Sequence, residues 1–235
     1  MTDEALLREV SPDPERLAML TPCIDNYGVG DADAEWPNNL ISRHAIAYES
    51  GRLARRGERV RHAIDPSELE RCRALALEIA GLVEDMEVGM GSEASDGFHP
   101  YWLVPNADER PSIRIDEELV LRAFGGTLFP LATITVEPLR EEGIWWSQVE
   151  DDGEESESSY FVPWREMIAW FASKEDFVDR AFVCVDVREA LWEAEARGDA
   201  LPPGTEIPGC VLPRLALGLT RGGSLVGLFG WTVQT

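Results

Sequence analysis

The residues best suited to chemistry on this chain are a cysteine, a histidine and an aspartate that lie apart in the sequence. Cys184, His99 and Asp186 could form a nucleophilic triad, in which the histidine takes the thiol proton and the carboxylate orients the histidine. However, Cys184 lies inside the apolar run 182–187, where we expect a buried and unreactive thiol. The sequence therefore disfavours this triad.

An enzyme with dispersed catalytic residues remains an alternative, and His99 would be its centre. Asp96 and Asp108 are the carboxylates near it that could share a proton with the imidazole. A cleft that joins His99 to a carboxylate of shifted pKa would support this hypothesis. An exposed and isolated His99 would argue against it.

The common metal and nucleotide motifs fail on spacing or on context. The three histidines lack HxH and HxxxH spacing, and no CxxC pair is present. The stretch 25–36 has glycine at the sixth place of a calcium loop but lacks oxygen ligands at the third, fifth and twelfth places. An irregular cation site from Asp25, Asp31 and Asp33 is the remaining alternative to a solvated loop there. The segment 89–94 fits a dinucleotide fingerprint, yet it follows a predicted helix rather than a strand. We therefore predict no cofactor and no metal site.

The net charge is the most unusual property of the chain. There are 44 Asp+Glu residues against 21 Lys+Arg, which gives a formal charge of −23. That field repels nucleic-acid backbones and anionic lipid, so we expect neither direct nucleic-acid binding nor membrane association. It attracts a basic protein partner and speeds the encounter at low salt. The alternative is that the charge serves solubility alone.

One short segment carries the basic residues in a cluster. Its members are Arg52, Arg55, Arg56, Arg59 and Arg61. Such a cluster could hold a phosphate or an RNA backbone. Given the overall charge, we favour internal pairing with the excess of carboxylates.

The strongest candidate for a contact surface is the segment 137–192, which combines acidic and aromatic residues. Ten of the twenty aromatic residues lie between Trp145 and Trp192. We predict a strand over 143–149, on which Trp145 and Trp146 would face opposite sides, one of them outward. An exposed Trp beside an acidic loop has the composition of an interface hot spot. The predicted partner-binding residues are Trp145, Trp146, Glu150, Asp151, Asp152, Glu154, Glu155, Glu157 and Tyr160. The alternative is a solvated loop above a sheet covered by Trp.

Local signals predict the elements that would position these residues. A helix is predicted over 66–87, because Asp65 suits the N-cap and a proline follows it. The apolar spacing over 38–56 predicts a second helix. The chain is predicted to close with a hairpin of two strands, 211–219 and 225–233.

Helices followed by strands indicate an α+β fold. We predict an N-terminal helical part packed on a mixed, mainly antiparallel sheet with a C-terminal β-hairpin. The mainly helical region would span 1–97 and the mixed sheet region 98–235, as one compact unit. A linker-like stretch, 89–98, marks the boundary.

Cysteine usage and the N-terminus predict where the protein works. Four cysteines without short spacing and the lack of an apolar leader fit a reduced, cytoplasmic setting. One Lys beside twenty Arg is typical of coding in a GC-rich bacterial genome. We therefore expect an acidic protein-binding module, of the inhibitor, immunity or assembly-subunit type, that docks a basic partner. The alternatives are the enzyme centred on His99 and an inhibitor that mimics nucleic acid.

Overall fold

The structure is a computed structural model that describes most of the chain. The described residues are 7–25, 39–58, 62–92, 94–130, 132–153, 158–187, 197–199 and 211–233. Asp31 and Asp33 of the irregular cation site lie outside them, as do Glu154, Glu155 and Glu157. What the sequence predicts for those five residues stays a prediction.

A five-stranded antiparallel sheet forms the centre of the molecule. Its strands are β5 (His99–Leu103), β6 (Ala132–Pro138), β7 (Phe177–Val187), β8 (Val211–Thr220) and β9 (Leu225–Val233). They lie in the order β5-β9-β8-β7-β6. Strands β8 and β9 form the predicted C-terminal hairpin, and its turn contains Gly223 at φ +86°. Glycine adopts this left-handed conformation without steric cost.

Both faces of the sheet are buried along its central strands β7, β8 and β9, which explains their long apolar runs. Successive side chains of a strand point to opposite faces. On β7, Val183 and Val185 pack into one apolar cluster, whereas Phe182 and Cys184 pack into a second cluster. A strand covered on both sides needs apolar residues at nearly every position.

Three helices cover one face of the sheet: α2 (Pro66–Leu82), α4 (Ile144–Gly153) and α5 (Phe161–Ser173). Helix α2 begins as predicted, because the Asp65 carboxylate accepts a 2.8 Å hydrogen bond from the backbone N–H of Ser67. It ends before residue 87, and its buried stripe comprises Leu69, Cys72, Ala76 and Ile79.

The other face is covered mainly by N-terminal residues. The elements there are α1 (Pro14–Met19), the short strands β2 (Ala45–Ala47) and β3 (Leu53–Arg55), and the later helix α3 (Glu117–Phe124). Two further short strands, β1 (Arg8–Glu9) and β4 (Ala63–Ile64), pair with each other antiparallel. Each apolar cluster draws residues from both 1–97 and 98–235.

The helix predicted over 38–56 is wrong. In its place β2 and β3 form an antiparallel hairpin. The turn of this hairpin contains Gly51 at φ +92°, and a Cβ at that position would overlap the carbonyl oxygen of Trp102 on β5. A contact with a distant strand therefore shapes the turn, and local apolar spacing carries no sign of it.

The strand predicted over 143–149 is also wrong, because these residues belong to helix α4. The first backbone N–H groups of helix α4 have no acceptor inside the helix, so a carboxylate near its N-terminus is stabilising. Glu137 on β6 supplies the carboxylate. Its Oε1 accepts from the backbone N–H of Ile144 at 2.9 Å, and its Oε2 accepts from that of Trp145 at 3.0 Å. The cap comes from another element, so no local signal marks the start of this helix.

The α+β class is confirmed, with an N-terminal part packed on an antiparallel sheet and a C-terminal hairpin. No helix within the described ranges has both the length and the apolar composition that a membrane span requires.

Candidate functional site

The two adjacent tryptophans of the predicted contact surface lie in the core. Trp145 is 0% exposed and Trp146 is 3% exposed. Trp145 stacks on Phe182 of the sheet with ring centroids 4.4 Å apart, and the Trp146 indole N–H donates to Glu150 Oε1 at 2.9 Å. Consecutive residues of a helix are only about 100° apart, so both can face the sheet, unlike neighbours on a strand. The prediction of an outward-facing Trp is therefore wrong.

The acidic residues that follow these tryptophans do reach the surface. Glu150 and Asp151 are exposed, and Asp152 is half-buried at the end of α4. The Tyr160 hydroxyl donates a 2.6 Å hydrogen bond to Asp152 Oδ2. Burial, and then the hydrogen bond and charge of Asp152, raise the pKa of Tyr160 well above its usual range. The phenol therefore stays protonated and keeps the carboxylate oriented.

A pocket of about 330 Å³ opens beside the Asp152–Tyr160 pair. Its walls come from the loop after α2, the end of α4 and the start of α5. We call it the acidic pocket, and it is lined by Asp85, Met86, Glu87, Gly89, Asp152, Tyr160, Pro163 and Trp164. Three of these residues are carboxylates, and no arginine, lysine or histidine is among the described residues that line it.

The loop after α2 has an unusual backbone where it meets this pocket. Gly89, Met90 and Gly91 all have positive φ, at 56°, 66° and 70°. A Cβ on Gly89 would lie 2.9 Å from the Tyr160 hydroxyl oxygen and would clash with Asp152 Oδ2. A Cβ there would force these two side chains to shift, and the positive φ of Gly89 also favours glycine. The loop therefore packs directly on the Asp152–Tyr160 pair, and no dinucleotide-binding helix follows it, because the chain continues into β5.

The rim of the acidic pocket carries more negative charge. Glu84, Asp85, Glu87, Glu150 and Asp151 are all exposed. None of these five forms an ion pair with another described residue. Uncompensated carboxylates beside a concave surface favour a cationic ligand, and the half-buried ring of Tyr160 can contribute cation–π attraction.

The acidic pocket joins two parts of the chain that sequence reasoning kept separate. Asp152 and Tyr160 belong to the predicted contact surface, whereas Asp85, Glu87 and Gly89 do not. The sequence places the second group at the end of a predicted helix and in a linker-like stretch, where Gly89 also begins the segment that fits a dinucleotide fingerprint. The two glycines around Met90 are a sequence sign of a turn in this linker, and the structure places all three residues at positive φ.

Of the residues of the enzyme hypothesis, the structure brings His99 and Asp96 together but not Asp108. The His99 side chain is 38% exposed, and its Nε2 lies 3.5 Å from Asp96 Oδ2. Asp108 instead accepts a hydrogen bond from Asn106 and lines another cavity with Glu9 and His62. His99 and Asp96 therefore form a pair of exposed side chains, and Asp108 is not part of it.

The triad of Cys184, His99 and Asp186 is not assembled either. His99 lies on β5 and Cys184 on β7, with β9 and β8 between them, which separates the strands by about 14 Å. Burial raises the pKa of the Cys184 thiol to about 12. Asp186 Oδ1 accepts a 2.8 Å charge-assisted hydrogen bond from the buried Arg214. Cys184 is therefore a core residue, as the sequence suggested.

The basic segment divides between paired and exposed residues. Arg52 forms an ion pair with Glu109 at 2.7 Å, which fits the expectation of internal pairing. Arg56 is exposed, and Arg59 and Arg61 lie outside the described residues.

The comparisons with known proteins give no family to guide interpretation. No protein-family model matches the chain, and a search of curated proteins finds none that is significantly similar.

Proposed function

We propose that this protein is an acidic binding module, of the inhibitor, immunity or assembly-subunit type, that docks a basic protein partner. The acidic pocket would receive a Lys or Arg side chain of that partner. One observation carries the proposal: a pocket of about 330 Å³ is lined by three carboxylates without a described cationic residue among its walls.

The geometry suits a guanidinium or ammonium group. Asp152 is held by Tyr160 at 2.6 Å, so this carboxylate is oriented before any ligand arrives. Asp85 and Glu87 are exposed and can adjust to the ligand. Charge-assisted hydrogen bonds from a cation to carboxylates are roughly twice as strong as neutral ones. An oriented carboxylate also lowers the entropy lost on binding.

The overall charge supports the same proposal at longer range. A formal charge of −23 creates an attractive field for a basic partner over distances of several ångström. Salt screens such a field beyond about 8 Å at physiological ionic strength. Association would therefore slow as salt rises, whereas the contacts inside the pocket would be less affected.

A titration followed by NMR tests the proposal with a defined probe. The ¹⁵N-labelled protein is titrated with a short oligoarginine peptide, and in parallel with the same peptide in which every arginine is citrulline. Citrulline keeps the shape of the side chain but removes its charge. The expected result is saturable shifts confined to the loop 85–91 and the ends of α4 and α5, with the arginine peptide only. Shifts spread evenly over the acidic surface would contradict the proposal.

A further inference from the structure

The two edges of the central sheet differ in how they are covered. Strand β5 forms one edge, and directly after it the Val104 N–H donates to the Ser50 carbonyl of the β2–β3 turn at 2.7 Å. Arg16 donates to the Trp102 carbonyl, and Pro100 has no N–H to offer. These contacts protect β5 from pairing with a further strand.

Strand β6 forms the other edge, and its register shows which backbone groups face outward. The Leu139 N–H donates to the Arg180 carbonyl at 3.4 Å, directly after the last pair of the β6–β7 ladder. Backbone groups of an antiparallel strand alternate between its two sides, so the odd-numbered residues of β6 face β7. Ile134 and Val136 therefore turn their N–H and C=O groups outward. No hydrogen bond joins these groups to the part of the chain that the structure describes.

Strand β6 also lacks the usual protection of an edge strand. Natural edges are blunted by lysine, proline, bulges or charged side chains. The register of β6 with β7 is continuous over 132–138, and its proline comes only at the last position. The carboxylate of its one charged residue, Glu137, already accepts from the backbone N–H groups of Ile144 and Trp145. The edge therefore presents four β-branched residues, 133–136, and no uncommitted charge.

A second copy of the same strand matches this edge. When two β6 strands pair antiparallel about a twofold axis at Thr135, Ile134 of each copy lies opposite Val136 of the other. Four hydrogen bonds then satisfy all the outward N–H and C=O groups of these two residues. A shift of the register by two residues leaves carbonyl groups unpaired, because Pro138 has no N–H and the Ala132 N–H already donates within its own chain.

The side chains fit the same register. Thr135 of one copy faces Thr135 of the other, and Thr–Thr pairs are favourable across strands. Ile134 of one copy lies beside Val136 of the other, on the sheet face where both pack against an apolar cluster. Glu137 faces Thr133, so no like charges lie directly opposite each other.

We propose that β6 is a dimerisation edge, at which a second copy of this chain extends the five-stranded sheet about a twofold axis at Thr135. Because the β5 edge is covered, pairing ends at two copies. A single strand pair is a small interface, so the dimer should exchange with monomers at concentrations on the order of micromolar. No residue of β6 lines the acidic pocket, and the proposal does not depend on the function of that pocket.

The charge of the chain gives this dimer a characteristic salt dependence. Two copies repel each other because each carries a formal charge of −23. Salt screens this repulsion, whereas the strand pair is held by neutral backbone groups. The dimer should therefore tighten as salt rises, whereas binding of a basic partner should weaken. This opposite response distinguishes failure of one proposal from failure of the other.

Analytical ultracentrifugation of the full chain over a range of concentrations tests the proposal. The wild type should pass from monomer to a discrete dimer, at lower protein concentration in high salt than in low salt. Val136→Pro removes an outward N–H at a position where an edge strand tolerates proline, so it should give a folded monomer. A wild type that stays monomeric or assembles beyond the dimer would overturn the proposal. So would a folded Val136→Pro variant that still dimerises.

A charge exchange at Thr135 tests the register and does not rely on the proline variant. Thr135→Glu and Thr135→Arg should each weaken dimerisation at least about tenfold, because like charges then meet at the twofold axis. An equimolar mixture of the two variants should restore the dimer, because opposite charges then meet. Val178→Glu is the matched control, since Val178 is 47% exposed on β7 and lies beyond the β6 ladder.

The control should dimerise like the wild type, and melting temperatures of all variants at low concentration confirm that they fold. Single Thr135 variants that dimerise like the control, or a mixture that stays monomeric, would overturn the assignment of the edge and its register.

Discussion

Tyr160 donates a 2.6 Å hydrogen bond to Asp152, and this contact ties the end of helix α4 to the start of helix α5. Gly89 packs against the same two side chains from the loop after α2. Three segments thus meet at one carboxylate, and the acidic pocket is formed where they meet.

Tyr160→Phe removes the hydroxyl and leaves the ring. We expect the free energy of unfolding to fall by about 1.5–3 kcal/mol, because a hydrogen bond to a charged, half-buried carboxylate is lost. Denaturant unfolding monitored by tryptophan fluorescence measures the change. An unaltered unfolding midpoint would mean that the contact does not hold the segments together.

Gly89→Ala places a methyl group against the Asp152–Tyr160 pair, on a residue with φ +56°. Gly91→Ala is the matched control, since its φ is +70° and nothing lies within 4 Å of the added Cβ. The control should lose about 1 kcal/mol from backbone strain alone, and Gly89→Ala should lose clearly more. Urea denaturation of both variants gives the difference. If the two losses are equal, the loop does not contact the pair.

Trp145→Ala tests whether α4 packs as a core helix. Removal of a fully buried Trp should destabilise the protein by about 3–5 kcal/mol. The neighbouring Ile144 is 68% exposed, so Ile144→Ala should stay within about 0.5 kcal/mol. A small loss for Trp145 would instead favour the outward-facing Trp that the sequence suggested. Calorimetric melting of the two variants distinguishes these results.

Asp116 gives the stability of α3 a predictable pH dependence. Its carboxylate accepts a 3.0 Å hydrogen bond from the backbone N–H of Leu119, which, with help from Arg114, lowers the pKa of Asp116 below its usual value. Because the folded pKa is depressed, the stabilisation is present above the unfolded pKa, about 3.9. It is lost as pH falls through the folded pKa.

The matched variant is Asp116→Asn, which keeps an N-cap acceptor but carries no charge. Wild type should be more stable than Asp116→Asn at neutral pH, and the advantage should shrink below about pH 4. Unfolding measured across this range gives the two curves. A constant difference at all pH values would show that the charge of Asp116 has no role.

The sequence predicts those elements whose signals are local. Helix α2 has its own N-cap at Asp65, and the β8–β9 hairpin has its own glycine turn. Helix α4 is different, because Glu137 on another strand caps it. The β2–β3 hairpin likewise depends on the approach of Gly51 to Trp102. Elements whose shape depends on distant partners are the ones that local patterns predicted wrongly.

The candidate site likewise contains residues that a local sequence signal marks and residues that only the fold brings together. The acidic run after α4 and Tyr160 are visible in the sequence as a concentration of charge and aromatic rings. Asp85, Glu87 and Gly89 reach the pocket only because α2 packs on the same sheet face as α4 and α5. Nothing in one sequence pairs a loop after one helix with the end of another.

The most direct test of the proposed function is the affinity of pocket variants for the oligoarginine peptide. Asp85→Asn/Glu87→Gln neutralises two pocket carboxylates. Glu15→Gln/Glu117→Gln neutralises two exposed carboxylates on the other side of the sheet, at the starts of α1 and α3. Calorimetric titration at physiological salt should show a dissociation constant at least about tenfold higher for the pocket variant than for the wild type. The control variant should bind the peptide with nearly wild-type affinity. Equal losses for the two variants would contradict the account, because the peptide would then respond to the overall charge and not to the pocket.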